Sequence, residues 1–430
     1  MFERLHALET FGIKLGLANM ERLCEALGHP ERGFPSLHVA GTNGKGSVTA
    51  MAHAALRAAG LRAARYTSPH LVSLNERYVI GDAPVGDAEL AAVADRVLDA
   101  ADALVAYGTL AAPPTFFEAA TAMAFELFRD AQVEVAVLEV GLGGRFDATN
   151  IVTPLVSAIT SIGFDHQQHL GSTLGAIAFE KAGIIKPGVP VVMAPLPADA
   201  EAVVRQVAAG RGSRVVRADE GARMDARADE GRAIVEIATP AHRYRPVALA
   251  LRGDHQVENA LVTIRLLEEA RVAGVPVTHD AIERGLSDAV WPARLELIEL
   301  RGGRRLLLDS AHNADGAAAL ARYLARWHPE RPPLVFGAMR DKDVTAILSA
   351  LLPVVGPVVT TAPANRRAAD PDTLAEEVRA LDPARAVTAD GDPMRALDRA
   401  FTSGRLACVA GSIFLAGEVR DGLHGRAILP

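Results

Sequence analysis

The residues best equipped for chemistry cluster in Leu37-His38-Val39-Ala40-Gly41-Thr42-Asn43-Gly44-Lys45-Gly46-Ser47-Val48-Thr49. A short apolar run gives way there to three glycines, a lysine and a hydroxyl, and an alanine-rich helical pattern follows. Glycines let successive backbone N–H groups converge on one anion, and a helix that starts at the same point aims its positive end there. Lys45 is placed to reach the outer phosphates of a nucleotide, and the Ser47 hydroxyl to hold Mg²⁺. The strict phosphate-loop pattern is not met. Gly46 separates Lys45 from Ser47, and Val39 stands where the first glycine of that pattern belongs. A plain glycine turn between strand and helix has no need of a lysine inside it, so the stretch reads as an ATP site.

Further residues gather where strand patterns end. Glu139 closes the apolar run that starts at Val133, and the next strand leads into Gly163-Phe164-Asp165-His166. In open α/β sheets the carboxyl edge of the strands is where ligands bind. A buried carboxylate needs a cation or donors, and Mg²⁺ beside a nucleotide meets that need at Glu139; a satisfied structural glutamate is the other reading. His166 falls on the same edge, with Asp165 able to orient its ring or bind metal through water. Lys181 sits on an amphipathic pattern beside Glu180, where spacing alone says solvated face or ion pair. Asp309 ends a later strand and is followed by Ser310-Ala311-His312-Asn313, in which Asn313 suits a helix N-cap.

Elements that must position these residues alternate along the chain. A helix is expected over about 18–28, a strand before Gly41, a helix to about Gly60, and helices over about 87–106 and from Thr115-Phe116-Phe117-Glu118 to about Asp130. Strands follow at 133–140, 154–162 and 189–193, with a helix over 173–183. Short alternating stretches between 213 and 250 read as a small antiparallel annex, and a helix starts near Asp254. Beyond Trp291-Pro292 the alternation restarts, with strands at 304–309, 333–338, 357–361, 385–388 and 405–410. Helices are expected between them at 314–327, 343–352, 371–381 and 392–402. This order implies an α/β protein of two domains. Residues 1–290 form a parallel-sheet ATPase domain of phosphate-loop type with its annex, and 296–430 a smaller Rossmann-like α/β domain.

The 430 residues suffice for two such cores, being half hydrophobic and 23% charged. A formal net charge of −7 argues against nucleic acid or an anionic membrane as the main partner. Cys24 and Cys408 lie too far apart in sequence for a disulfide framework and read as buried thiols. The longest uncharged run, Ala148 to Phe164, carries Asn150, Pro154 and several hydroxyls, a buried strand rather than a membrane span. No apolar signal segment opens the chain, so a cytoplasmic protein is expected.

The motifs together resemble those of the folylpolyglutamate synthase and dihydrofolate synthase enzymes, a branch of the Mur ligase superfamily. The resemblance runs from Ile13-Lys14-Leu15-Gly16 to Ala410-Gly411-Ser412. Its most specific parts are Gly41 to Ser47, Thr67-Ser68-Pro69-His70-Leu71, Leu138 to Asn150, Ser161 to Lys186 and Asp309 to Asn313. It implies ATP held by Thr42, Asn43, Gly44, Lys45, Gly46 and Ser47, with Asn259, Arg294, Asp309 and His312 contacting the nucleotide from further along the chain. It implies Mg²⁺, as two ions, on Ser68, Glu139 and His166, with Ser47 and a carbamylated Lys181 contributing. Lys45, His166 and Lys181 are the residues assigned to catalysis. A pterin-bearing substrate would meet Thr115, Phe117, Asp147, Ala148 and the loop Ile13, Lys14, Leu15, Gly16, where Lys14 departs from the acidic residue of the pattern. Phe116 and Phe117 also suit a plain core, Glu118 has no assigned role, and Gly411-Ser412-Ile413-Phe414 is read as the glutamate end.

The implied reaction joins L-glutamate to dihydropteroate and to the tail of reduced folates, by way of an acyl phosphate made from ATP. The implied partners are these small molecules, and the implied state is a monomer. One alternative is an enzyme with a single activity, either tail extension or dihydrofolate formation. A Mur-type cell-wall ligase would be expected to carry a UDP-binding domain of roughly a hundred residues before its phosphate loop, which here starts at Gly41. A nucleotide-dependent switch needs one nucleotide site and would not call for a second domain with its own ligand edge at Asp309.

Overall fold

The computed structural model describes residues 2–8 and 16–423. Ile13, Lys14 and Leu15, expected at the pterin substrate, lie outside them. The chain divides into two compact units, described separately. The first comprises the chain up to Asp225 with Val235–Val247 and Glu258–Ala289; the second comprises Ala226–Ile234, Ala248–Val257 and the chain from Val290.

Eight strands build the main sheet of the first unit: β1 (Ser36–Ala40), β2 (Ala63–Tyr66), β3 (Tyr78–Ile80), β4 (Ala83–Pro84), β5 (Val135–Glu139), β6 (Val156–Ile159), β7 (Val191–Met193) and β8 (Val215–Arg217). Their order is β4-β3-β2-β5-β1-β6-β7-β8, parallel throughout except for β3 and β4 at one edge. Every residue of β1, β5 and β6 is buried, as their continuous apolar runs require of strands covered on both faces. The helices here are α1 (Glu3–Ala7), α2 (Ala18–Ala26), α3 (Lys45–Ala58), α4 (Asp87–Ala106), α5 (Phe116–Asp130), α6 (Gln167–Leu170), α7 (Leu174–Ala182), α8 (Ala198–Gly210), α9 (His255–Val272) and α10 (His279–Asp288). The unit boundary cuts α9 after Val257.

Local chemistry accounts for several of these starts. Thr115 and Glu118 close α5 with a reciprocal capping box, in which Thr115 Oγ1 accepts the Glu118 N–H and Glu118 accepts the Thr115 N–H at 2.7 Å. That gives Glu118 its role. Asp87 and Glu89 favour the first turn of α4 through the helix dipole. Helix α10 packs tightly along α3, with Gly285 so close to Ala55 that a Cβ would lie 2.4 Å from the alanine methyl.

The expected annex is smaller than the alternation from 213 suggests. Strand β8 joins the main sheet, parallel to β7. The antiparallel part is β9 (Arg223–Asp229), β10 (Arg232–Ala238) and β11 (Val247–Ala248), whose residues are shared between the two units. Alternating apolar residues fix a strand but not its partner, and the two kinds of edge read alike in sequence.

The second unit carries β12 (Glu296–Leu300), β13 (Arg304–Leu308), β14 (Leu334–Phe336), β15 (Val358–Thr360), β16 (Val387–Ala389) and β17 (Leu406–Ala410), in the order β12-β13-β17-β14-β15-β16. Only β12 runs antiparallel to its neighbour. Helices α11 (Ala314–Trp327), α12 (Val344–Leu351), α13 (Pro371–Leu381), α14 (Pro393–Ala400) and α15 (Ile413–Gly422) accompany it, and one apolar cluster from Leu295 to Ala410 forms its core. Both cysteines are buried. Among the described residues no helix is long and apolar enough to cross a membrane.

Candidate active site

The loop after β1 leads straight into α3. Gly44 is the N-cap, at a φ of 88°, and has no side chain of its own with which to cap the helix; the amides of Lys45, Gly46 and Ser47 lie in the first turn, the helix end that favours an anion. The loop is laced to the segment following β6. Thr42 N–H donates to the Ser161 carbonyl at 2.7 Å, Thr42 Oγ1 bridges both backbone groups of Gly163, and Thr160 Oγ1 donates to the Asn43 carbonyl at 2.7 Å. Gly41 tolerates no side chain: a Cβ there would lie 1.8 Å from Thr160 Oγ1. At Gly44 a Cβ would meet Asn259 Oδ1 at 2.4 Å, which brings the Asn259 side chain of α9 against the turn.

Two lysines converge on one carbonyl of this loop. Lys45 Nζ donates to the Gly41 and Thr42 carbonyls at 3.1 and 3.2 Å, and Lys181 Nζ from α7 donates to the Gly41 carbonyl at 2.7 Å. Lys181 is therefore no solvated-face residue; it is buried. Burial first, then the neighbouring Lys45 charge, lowers its pKa to about 7. Glu180 turns the other way, pairing with Arg145 at 2.6 Å and accepting the Arg145 N–H through its backbone carbonyl.

At the carboxyl end of β5, Glu139 is buried and its Oε2 accepts the Ser68 N–H at 3.3 Å. His166 opens α6 with a φ of 50° and is half exposed; its backbone N–H donates to Asp165 at 2.9 Å. Among the described residues no three His, Cys, Asp or Glu side chains gather into a metal cage. The buried carboxylate and the serine oxygen are hard donors, which suits Mg²⁺, a cation that draws most of its ligands from phosphate and water.

The residues expected at the pterin substrate form a second group, whose turn 141–147 packs against α7: a Cβ at Gly144 would lie 2.8 Å from the Lys181 carbonyl oxygen. Phe117 packs on Tyr66 with ring centres 6.2 Å apart, and its edge lies so near Gly141 that a Cβ there would be 2.6 Å away. Asp147 is buried and receives four donors: the N–H groups of Gly141, Leu142 and Thr149 at 3.0, 2.9 and 3.1 Å, and the Thr149 hydroxyl at 2.5 Å. Burial raises its pKa, and the donors pull it back. Thr115 and Ala148 are buried nearby in sequence, Thr115 as the cap of α5 and Ala148 within the core. Gly16, with a φ of 140°, is the one described residue of its loop.

In the second unit Asp309 is also fully engaged, accepting the Leu295 and Ala311 N–H groups at 2.8 Å each. Burial raises its pKa, and the Arg294 charge opposes that rise. Arg294 stands between Ala293 and Leu295, both in the left-handed region at φ 55° and 49°. Such backbone is uncommon for these residue types and is held here by Asp309 and by the bond from Ser310 Oγ to the Ala293 carbonyl at 3.1 Å. His312 Nδ1 donates to the Ser310 carbonyl at 2.9 Å, and Asn313 caps α11. The turn of Gly411 to Phe414 is the capped start of α15, with Ser412 as its N-cap.

Residues 95–267 match the Mur ligase middle domain and 293–413 the Mur ligase glutamate ligase domain. The chain is 36% identical to the dihydrofolate synthase/folylpolyglutamate synthase of Bacillus subtilis over 353 residues, 81% of either chain. It belongs to the dihydrofolate synthase/folylpolyglutamate synthase family. Members of this family are ATP-dependent ligases of Mur type, and so is this chain. Its fold is similar to that of Mycobacterium tuberculosis folylpolyglutamate synthase, solved with ADP and AMPPCP, at a TM-score of 0.91 and 33% identity over 98% of both chains. It is also similar to the Escherichia coli FolC protein solved with DHPP and ADP, at a TM-score of 0.86 and 27% identity over 98% of this chain and 97% of that one.

Within this family frame, several functional contacts escaped the sequence. The lacing of Thr42 and Asn43 to Thr160–Gly163 joins segments more than a hundred residues apart, and no local pattern announces it. The Thr115–Glu118 box, by contrast, is a T-x-x-E signature that could have been recognised. Substituting Gly41→Ala should force Thr160 aside, open that lacing and weaken ATP binding by at least about tenfold, since more than one hydrogen bond is lost. Calorimetric titration of ATP at fixed Mg²⁺ checks this; unchanged affinity would show that the loop does not hold the nucleotide.

Proposed function

We propose that this chain joins L-glutamate both to dihydropteroate and to the glutamate tail of reduced folates, through an acyl phosphate. The observation that carries the reading is the meeting of Lys45 and Lys181 at the Gly41 carbonyl, beside the N-terminal end of α3. The Lys45 ammonium and a turn of amides at one point suit a polyphosphate, and a phosphoryl transfer needs positioning and charge neutralisation more than a protein nucleophile.

In this reading Lys45 and the amides of Lys45–Ser47 hold the γ-phosphate. The acceptor carboxylate attacks its phosphorus, the bond to ADP breaks, and an acyl phosphate forms. The amino group of glutamate then attacks the acyl carbon, loses a proton, and phosphate leaves. Glu139 and Ser68 would hold Mg²⁺ with His166 beside them, and the ion would supply charge neutralisation on the phosphates. Asn259 in the first unit, and Arg294, Asp309 and His312 in the second, are proposed as further nucleotide contacts.

Lys181 is proposed to be carbamylated. A buried amine with its pKa lowered to about 7 is substantially neutral at physiological pH, and the neutral amine is the form that attacks CO₂. The carbamate would replace one of two like charges at Gly41 with an anion. Protein treated with ¹³C-bicarbonate should show a carbamate resonance that Lys181→Arg lacks and that strengthens from pH 6 to pH 8, as the ammonium form is lost. No resonance at any pH would contradict the assignment.

One observation favours a narrower reading. The four donors on Asp147 fill the usual accepting positions of a carboxylate, as a purely structural residue would. Tail extension alone is then the second reading. Phosphate release from ATP and Mg²⁺, measured with L-glutamate plus dihydropteroate or tetrahydrofolate, separates the two. Glutamate-dependent turnover with both acceptors is expected. Turnover with tetrahydrofolate alone would leave the narrower enzyme, and none with either would refute the folate assignment.

A further inference from the structure

Asp147 is the end of a buried hydrogen-bond chain that starts in the strand carrying the phosphate loop. His38 lies in β1, three residues before Gly41, and its side chain is wholly buried. Its Nε2 is 2.8 Å from Thr149 Oγ1, which is in turn 2.5 Å from Asp147 Oδ1. The other ring nitrogen, Nδ1, is buried and has no hydrogen-bond partner. His38 has no part in the phosphate and metal chemistry proposed above, and its burial in the central strand calls for a reason.

The distances fix where the protons are. Asp147 accepts three backbone N–H groups, which favours the carboxylate, so the contact at Oδ1 requires the Thr149 hydroxyl to donate. With its proton committed, Thr149 Oγ1 can only accept from the ring, and His38 must carry its hydrogen on Nε2. The opposite tautomer would bury an unmet Nδ1–H and set two acceptor lone pairs against each other, at a cost the observed geometry avoids. Burial, with the Lys186 charge adding to it, holds the ring pKa at about 3, so His38 remains a neutral single donor. The chain then runs one way: His38 to Thr149, Thr149 to Asp147. The Asp147 carboxylate in turn fixes the amides of Gly141 and Leu142, and Gly141 is the residue on which the Phe117 edge rests.

We propose that His38 and Thr149 are positioning residues for the pterin-bearing acid: they lock the Asp147 carboxylate, and through it the turn 141–147 facing Phe117, and so set affinity for that acid separately from affinity for ATP. This rests on the dihydropteroate activity proposed above. It also reconciles that activity with a saturated Asp147, since the residue acts by shaping the turn. The relay shares no hydrogen bond with the phosphate-loop lacing, which joins Thr42 and Asn43 to Thr160, Ser161 and Gly163.

Steady-state kinetics of Thr149→Val and Thr149→Ser, with dihydropteroate and with ATP as the varied substrate, test it. Thr149→Val is isosteric but cannot donate to a charged acceptor, so the dihydropteroate KM should rise about tenfold or more while the ATP KM stays within about twofold. Thr149→Ser keeps the hydroxyl and should restore the wild-type value. A parallel rise in both KM values, no change in Thr149→Val, or failure of serine to rescue would overturn the proposal. The ring ¹⁵N signals of His38 in the unaltered protein give a second readout that needs no variant to fold. They should report a proton on Nε2 from pH 6 to pH 8, and a proton on Nδ1 would overturn the relay. Wild-type protein that uses tetrahydrofolate but never dihydropteroate would refute the parent activity and the proposal together, and it is told apart from failure of the relay because it needs no substitution.

Discussion

A single backbone carbonyl, that of Gly41, carries the constraint from which the site follows. It accepts from both Lys45 and Lys181, so two amines of like charge are brought to one point inside the protein. Coulomb repulsion there cannot be screened by water as it would be at the surface. The structure lowers that cost in two visible ways. Lys181 has its pKa drawn down to about 7, so the second charge is partly given up, and the helix end at Lys45 provides a place for anions that compensate the first. A glycine is required at 41 because a Cβ there would run into Thr160 Oγ1.

Sheet topology explains why these groups meet. From β1 the chain crosses through α3 to β2 on one side, whereas β6, β7 and β8 continue on the other. Strand β1 lies between β5 and β6 in register, so the loops at the carboxyl ends of all three open at one switch point. Those loops carry Gly41–Ser47, Glu139–Asp147 and Thr160–His166. Val39 registers with Glu139, and His38 with Leu138 beside the core that contains Ala148 and packs Phe117. The proposed phosphate site and the proposed acid site are thus tied to one strand.

Much of this was legible from residues whose meaning is local. The glycine-lysine turn, the apolar runs ending at Glu139, and the helix Ala314–Trp327 behind Asn313 read directly, because loops, buried strands and capped helices are set by neighbours in sequence. The Ala198–Gly210 and His279–Asp288 helices and the antiparallel strand Glu296–Leu300 were not recognised, and β8 was assigned to the wrong sheet. Strand pairing is a tertiary choice that alternation does not encode. At the site the same division holds. Lys181 looked like half of a surface ion pair because spacing cannot show that α7 turns it under the Gly41 carbonyl while Arg145 takes Glu180. His38 carries no reading in the sequence, since nothing near it reveals Thr149.

In the proposed reaction a substrate carboxylate becomes an acyl phosphate beside Gly41. Transfer of label tests it most directly: turnover of dihydropteroate carrying ¹⁸O in its carboxylate, with mass analysis of the phosphate released. The account predicts one ¹⁸O in each phosphate formed, because the oxygen that attacks phosphorus leaves with it. Phosphate free of label, formed at the rate of product, would mean that the carboxylate is never phosphorylated and would contradict the account.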